Sequence, residues 1–343
     1  MDIAELNQIA HKMTAKGKGI LAADESTSTI KKRFDKIGVA NVEDNRRDYR
    51  ELLFRTDRAM KNYIGGVILF DETIRQKSAD GNGTPLIELI EAAGAVPGIK
   101  VDAGAKPLAG SSGDTITEGL DGLRERFAEY RKLGARFAKW RATYDPTGGR
   151  PSFNSINANA HALARYAALA QENGIVPIVE PEVLMDGDND IDQCAAVTEW
   201  VLKEVFQQLY YANVQLEGIV LKPNMIVPGL KCARQASVEE VAVRTVQILR
   251  RCVPTAVPGI AFLSGGQSDV DATAHLSAMN ARHNLPWALT FSYGRALQAA
   301  PQKAWSGKTE NVGAAQAAFL HRARMNSLAA LGKWSADAEK SAA

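Results

Sequence analysis

Gly218-Ile219-Val220-Leu221-Lys222-Pro223-Asn224 is the stretch on which the reading of this chain turns. Apolar, β-favouring residues run up to a lysine, and a proline that ends regular pairing follows it. The pattern predicts a buried strand whose last side chain is an amine. One reading lets that amine snorkel past the strand end. The other places it in a largely dry site, where burial disfavours the charged form and exposes a nucleophile able to attack a carbonyl and form a Schiff base. The rest of the chain discriminates between them.

The same grammar recurs throughout. β-Rich runs are read at 19–24, 66–71, 98–102, 136–141, 176–180, 218–222, 259–264 and 287–292, with helical periodicity between them, as at 121–133, 156–172, 191–211 and 238–251. Eight strands alternating with helices, and no linker-like Pro/Gly/Ser stretch, predict one parallel α/β domain. Their count and even spacing favour a closed (β/α)8 TIM barrel over an open doubly wound sheet. A dinucleotide-binding alternative needs a glycine fingerprint directly after a strand, and Gly81-Asn82-Gly83 does not supply one. Extra N- and C-terminal helices are read near 4–16 and 312–331. Residues 1–334 are assigned to the barrel, and the small, polar stretch 335–343 to a mobile tail with little to dock.

Barrels of this kind gather their chemistry at the C-terminal strand ends. Those ends carry, in order, Asp24, Asp71, Lys100 with Asp102, Lys139 with Arg141, Glu180 with Glu182, Lys222, Ser264 and Ser292. Lys-x-Asp, Lys-x-Arg and Glu-x-Glu each have period two, so both members of a pair project to one side of the strand. If that side is the interior, cations and carboxylates share one cavity. A structural ion-pair network is the bland alternative, but such networks rarely concentrate at so many strand termini. Lys139 beside Lys222 would disfavour a second ammonium and keep Lys222 nucleophilic. Glu180 among cations and apolar walls can trade the protons that dehydration of a carbinolamine requires, and Asp24 can take a proton from a substrate hydroxyl or hold it.

Two loops read as phosphate sites. Ser264-Gly265-Gly266-Gln267-Ser268 follows the seventh strand and Ser292-Tyr293-Gly294-Arg295 the eighth, where barrels commonly bind phosphate. Glycines let backbone N–H groups approach an anion, and Arg295 can pair with it bidentately. A further anion site is read at Glu25-Ser26-Thr27-Ser28-Thr29 with Arg33 beyond it, although the same hydroxyls would serve a plain helix cap. Two phosphate sites flanking a Schiff-base lysine suggest a sugar bisphosphate.

Composition narrows the field. Hydrophobic residues make up 45% of the 343 and charged residues 23%, with a net charge of +2, which calls for neither nucleic acid nor membrane as a partner. The N-terminus has no basic-then-apolar leader, and the three widely spaced cysteines, Cys194, Cys232 and Cys252, fit a reducing cytoplasmic setting. His11, His161, His275, His283 and His321 are scattered, and the acidic run Asp186–Asp192 lacks the glycine and glutamate of a calcium loop, so no metal site is expected.

The segments Leu21-Ala22-Ala23-Asp24-Glu25-Ser26-Thr27, Gly98-Ile99-Lys100-Val101-Asp102, Lys139-Trp140-Arg141, Val179-Glu180-Pro181-Glu182, Leu221-Lys222-Pro223-Asn224-Met225, Phe262-Leu263-Ser264-Gly265-Gly266-Gln267-Ser268 and Phe291-Ser292-Tyr293-Gly294-Arg295 resemble class I fructose-bisphosphate aldolases, in order and over nearly the whole chain. The resemblance implies reversible cleavage of fructose 1,6-bisphosphate in glycolysis and gluconeogenesis. It assigns the Schiff base to Lys222, the main acid/base role to Glu180, charge stabilisation to Lys139 and action at the hydroxyl of the cleaved bond to Asp24. Ser264, Gly265, Gly294 and Arg295 would hold one phosphate, with Ser26, Thr29, Arg33 and Lys100 near the other. Members of the family are cytosolic or plastid and usually tetrameric, which implies a cytoplasmic homotetramer here, with no cofactor or metal. Two departures stand out. Ser28-Thr29 replaces Gly-Ser of the animal enzymes, and no tyrosine follows Tyr293, whereas animal members end in a tyrosine credited with a proton-transfer step. The competing readings are a lysine aldolase acting on another phosphosugar and a catalytically silent barrel serving as a binding scaffold.

Overall fold

In the computed structural model, which describes residues 2–282 and 284–340, eight strands close into a parallel barrel. They are β1 (Gly19–Ala23), β2 (Ile64–Leu69), β3 (Val96–Lys100), β4 (Phe137–Tyr144), β5 (Val176–Val183), β6 (Val220–Leu221), β7 (Gly259–Phe262) and β8 (Ala288–Tyr293). Each pairs with its sequence neighbours, and β8 closes on β1. Helices surround the ring, and a hairpin of Ala105–Pro107 with Thr115–Thr117 stands beside the C-terminal end of β3. This is the (β/α)8 TIM barrel expected.

Strand periodicity explains how one ring can be both a core and a site. Alternate residues face inward. At the N-terminal end the inward column is apolar: Ile20, Ala22, Ile68, Val96, Phe137, Val176, Ile178, Val220 and Ala261 form one buried cluster. Continuing each column by two residues brings Asp24 above Ala22, Lys100 and Asp102 above Gly98, Lys139 and Arg141 above Phe137, Glu180 and Glu182 above Ile178, and Lys222 above Val220. The intervening residues, among them Leu21, Ala23, Ile99, Ala138, Trp140, Val179 and Leu221, face the helices and join the larger outer core. Gly98 lacks a side chain because Phe137 fills the barrel there; a Cβ on Gly98 would lie 2.4 Å from its ring. Helix Ile3–Met13 seals the N-terminal mouth by inserting Leu6, Ala10 and Met13 into the inner cluster.

Several element bounds differ from the sequence reading. β4 and β5 extend past the expected ends to Tyr144 and Val183, paired throughout. Gly218 belongs to a 3-10 turn, Leu216–Gly218, and β6 is short. Lys222 still donates its N–H to the Val179 carbonyl at 2.8 Å, so the lysine leaves the ladder in strand geometry. Asp71, read among the cavity-facing strand ends, is not there. It starts helix Asp71–Arg75, where a carboxylate favours the N-terminal dipole, and accepts hydrogen bonds from Arg75 and from the Tyr130 hydroxyl.

The tail assigned to 335–343 has an anchor after all. Glu339 accepts hydrogen bonds from Arg322 at 2.6 Å and from the Trp334 indole at 2.9 Å, and it faces His321 at 3.2 Å. The anchor is ionic rather than apolar, which a search for dockable hydrophobic surface does not register. Residues 341–343 and His283 lie outside the described residues.

Candidate active site

Apart from Asp71, the strand-end side chains singled out for chemistry converge on one cavity of about 640 Å³ at the C-terminal mouth of the barrel. Its floor is a chain of four charged side chains, with Lys139, Glu180 and Lys222 buried and Asp24 partly so. Lys139 Nζ lies 3.0 Å from Asp24 Oδ2 and 3.4 Å from Glu180 Oε2, while Lys222 Nζ lies 3.3 Å from Glu180 Oε1. Glu180 thus bridges the two lysines, one oxygen to each. Lys222 is 4% exposed and Glu180 3%, so both sit in a nearly dry site.

The parity of the strands sets this order. Lys139 stands opposite Ile178 and Lys100 in the ladder, and Arg141 opposite Glu180, so cations of β4 meet carboxylates of β5 across one strand gap. Burial works to raise the Asp24 carboxyl, but Lys139 and Lys222 override it and bring the group down to about 2. Burial likewise works to lower Lys139, yet Asp24, Glu180 and Asp102 hold its ammonium well above the usual range. Lys139 is therefore a fixed cation in this site.

One wall carries the remaining pairs. Lys100 Nζ is 2.9 Å from Asp102 Oδ1 and donates to the Asp102 carbonyl, while Arg141 pairs with Glu182. Burial of Arg141 is outweighed by Glu182, which keeps the guanidinium charged. The Ser292 hydroxyl, 1% exposed, lines the cavity with no hydrogen-bond partner among the described residues.

Both loops expected to bind phosphate border this cavity. Gly265 adopts a positive φ of 53°, and a Cβ there would lie 2.3 Å from Met185 Cε, so the turn admits only glycine. Met185 Sδ accepts the Gly266 N–H at 3.0 Å, and Arg295, exposed beside the cavity, donates to the Gly265 carbonyl. Gly294 has room for a side chain, so what it offers is its backbone at the start of helix Arg295–Trp305. On the opposite rim Ser26 caps helix Thr27–Phe34 through the Thr29 N–H, and its hydroxyl also meets those of Ser28 and Thr29 at 3.1 and 3.0 Å. The plain-cap reading of Ser26 holds, and the hydroxyl cluster still faces the cavity. Arg33 lies one turn further on, paired with Glu25.

Sequence reading missed the groups that hold these residues. Glu25, 5% exposed, accepts on Oε1 from both Arg33 and the Gln298 amide, the latter at 2.9 Å, and Arg50 donates to its carbonyl at 2.7 Å. Lys32 and Lys36 also line the rim; their i, i+4 spacing downstream of Ser26 was the available signal. Among the described residues no three His, Cys, Asp or Glu side chains converge as a metal cluster would.

A (β/α)8 ring with a buried lysine–carboxylate chain in its mouth and cationic, glycine-rich loops on its rim defines a class of lyases that act on phosphorylated carbonyl compounds. The model of one family, described as fructose-bisphosphate aldolase class-I, matches residues 5–343. A probable class 1 fructose-bisphosphate aldolase of Xanthomonas axonopodis pv. citri is 56% identical over 335 residues, 97% of this chain and 99% of that one. Fructose-bisphosphate aldolase C of Rattus norvegicus is 54% identical over 341 residues, 99% of this chain and 93% of that one. The solved structure of the Plasmodium falciparum aldolase superimposes with a TM-score of 0.95 at 50% identity, covering 97% of this chain and 96% of that one. The chain belongs to the class I fructose-bisphosphate aldolase family.

Proposed function

We propose that this enzyme reversibly cleaves fructose 1,6-bisphosphate to dihydroxyacetone phosphate and glyceraldehyde 3-phosphate through an imine on Lys222. The observation that carries the reading is Glu180, a single buried carboxylate bridging Lys222 and Lys139 at the floor of a cavity rimmed by the Ser264–Gly265 loop with Arg295 and by the Ser26–Arg33 helix start. Lys222 Nζ attacks the C2 carbonyl of the open-chain sugar, and Glu180 relays the protons by which the carbinolamine loses water. Asp24 takes the proton of the C4 hydroxyl as the C3–C4 bond breaks. The bonding pair moves into the iminium, leaving an enamine on Lys222 and releasing glyceraldehyde 3-phosphate. Protonation at C3 and addition of water then free dihydroxyacetone phosphate and return the amine. Lys139, held charged between Asp24 and Glu180, opposes the negative charge that develops on oxygen in these steps.

Ser264, Gly265, Ser292, Gly294 and Arg295 would receive one phosphate, and Ser26, Thr29, Arg33 and Lys100 the other, with Arg141 and Glu182 shaping the wall between them. A homotetramer in the cytoplasm is proposed on the family resemblance; a monomer mass by analytical ultracentrifugation would overturn that assembly. Borohydride reduction in the presence of dihydroxyacetone phosphate, followed by peptide mapping, tests the mechanism. One adduct on Lys222 is expected, with no cleavage by Lys222→Ala. An adduct on another lysine, or none, defeats the imine at this site, and absence of cleavage by the parent would favour the silent-scaffold reading.

A further inference from the structure

His275 lies outside the cavity, on helix Asp269–Asn280, yet it is buried at 8% exposure and packed behind the loop that follows β7. Its Nδ1 sits 2.6 Å from Gln267 Oε1. The Gln267 amide nitrogen donates to the Ser264 carbonyl at 3.1 Å and approaches Met225 Sδ at 3.7 Å. The bond directions fix the tautomer. With the amide nitrogen on the Ser264 carbonyl, the amide oxygen must face the imidazole, and Nδ1 must carry the hydrogen. Burial outweighs Asp271 and holds this imidazole down near 4, so it is neutral around pH 7 and its Nδ1–H is what Gln267 accepts.

The contact matters because of what Gln267 joins. Ser264 and Gly265 border the cavity at the end of β7, and Met225 lies three residues beyond Lys222. The Leu263 N–H also donates to the Pro223 carbonyl at 3.2 Å, so two bridges tie the β7 loop to the segment leaving the lysine. The far side of the loop is fixed by Met185 on Gly266 and by Arg295 on Gly265. The near side rests on Gln267, whose backbone N–H also donates to the Ser264 carbonyl at 3.1 Å, and without a donor at 275 its side-chain amide loses the partner that anchors its oxygen. A rotated amide would present oxygen to the Ser264 carbonyl, which repels rather than binds it.

We propose that His275 is a positioning residue for phosphate recognition, locking the Gln267 amide so that the Ser264–Gly265 loop stays in register with Lys222. The inference rests on the reading of that loop as a phosphate site. Its test compares His275→Leu, which keeps bulk without a donor, with His275→Asn, which keeps a donor, against the parent. His275→Leu should raise the KM for fructose 1,6-bisphosphate about five- to tenfold, the scale of one net hydrogen bond, with kcat within about twofold. His275→Asn should recover most of the loss. His275→Leu added to Gln267→Leu should do no further harm, because the two act as one unit. If the His275→Leu chain does not fold, Gln267→Leu alone carries the same KM test. Arg295→Ala separates the two levels of the argument. A raised KM in Arg295→Ala with an unchanged KM in His275→Leu overturns the role of His275 alone. Unchanged KM in both overturns the phosphate reading and this inference with it, and a loss in His275→Leu that appears only in kcat also overturns it.

Discussion

Lys139 has a charge but no free valence for nucleophilic work: Asp24 and Glu180 hold it between them at 3.0 and 3.4 Å. Its ammonium acts on neighbours, so Lys139→Ala should lower kcat about 10²–10³-fold, the usual size for removal of one preorganised charge-stabilising donor, with a much smaller change in KM. A large rise in KM at unchanged kcat would recast it as a phosphate ligand. Asp24 is the other half of the pair, and its depressed carboxyl makes a prediction about stability. Its folded value of about 2 lies below the ordinary 3.8 of an aspartate, so the stabilisation is fully present above that ordinary value and is lost as pH falls through the folded one. The contribution is on the order of 2 kcal/mol. Urea unfolding between pH 5 and pH 2 should therefore fall less steeply for Asp24→Asn than for the parent, and parallel curves would show that the pair does not couple to folding. The same substitution removes the proposed proton acceptor and should lower kcat about 10²–10⁴-fold.

Arg295 is a residue whose weight the structure changes. A well-buried pair would make its loss cost several kcal/mol, but Arg295 is exposed beside the cavity. The appropriate scale is then a hydrogen bond to a charged group at an open rim, about 1.5–3 kcal/mol.

At the scale of elements, the inner columns of the strands do two tasks that share no residues. The lower half is packing, sealed by helix Ile3–Met13, and the upper half is chemistry. Substitutions in the lower half should therefore alter stability and leave turnover alone. Gly98→Ala is the sharpest case, because the new methyl would meet a fully buried Phe137 ring. Overpacking of this kind costs about 1–3 kcal/mol. Adding Phe137→Leu should restore part of the loss, since the two residues share one space. Denaturation midpoints for the single and double variants check this, and independent, additive losses would place the strain elsewhere.

For the whole molecule, the C-terminal segment is tied to the barrel through Glu339 and Arg322. Arg322 is 4% exposed and also donates to Thr273 and to the Asp269 carbonyl, on the helix that follows the β7 loop. Burial works against ionised Glu339, but Arg322 outweighs it and lowers the carboxyl, so this tie is present above the ordinary carboxylate pKa and weakens as pH falls. Glu339 is only partly buried, with its side chain 16% exposed, and a pair that still touches water is limited to about 1 kcal/mol. Glu339→Gln should lower the unfolding free energy by about that amount at neutral pH and leave cleavage within a few-fold. A loss of activity larger than the loss of stability would connect the segment to the site.

The linear sequence by itself determined the barrel, its strand ends and the cast of the site, for one physical reason. Period-two alternation is local, so a column that turns from Val220 to Lys222, or from Ile178 to Glu180 and Glu182, can be read without knowing what lies across the ring. Asp71 shows where that reasoning stops. A carboxylate just past a strand can face the mouth or start the next helix, and only the closed backbone decides. The pairing of charges was likewise a tertiary matter. That Glu180 serves two lysines depends on contacts between separate strands, and Glu25 with Arg33 or His275 with Gln267, each eight residues apart, meet only because the backbone turns between them. Residue types and spacings carry no record of which side chain closes to ion-pair or hydrogen-bond distance, and it is those contacts that turn a list of charged residues into a site.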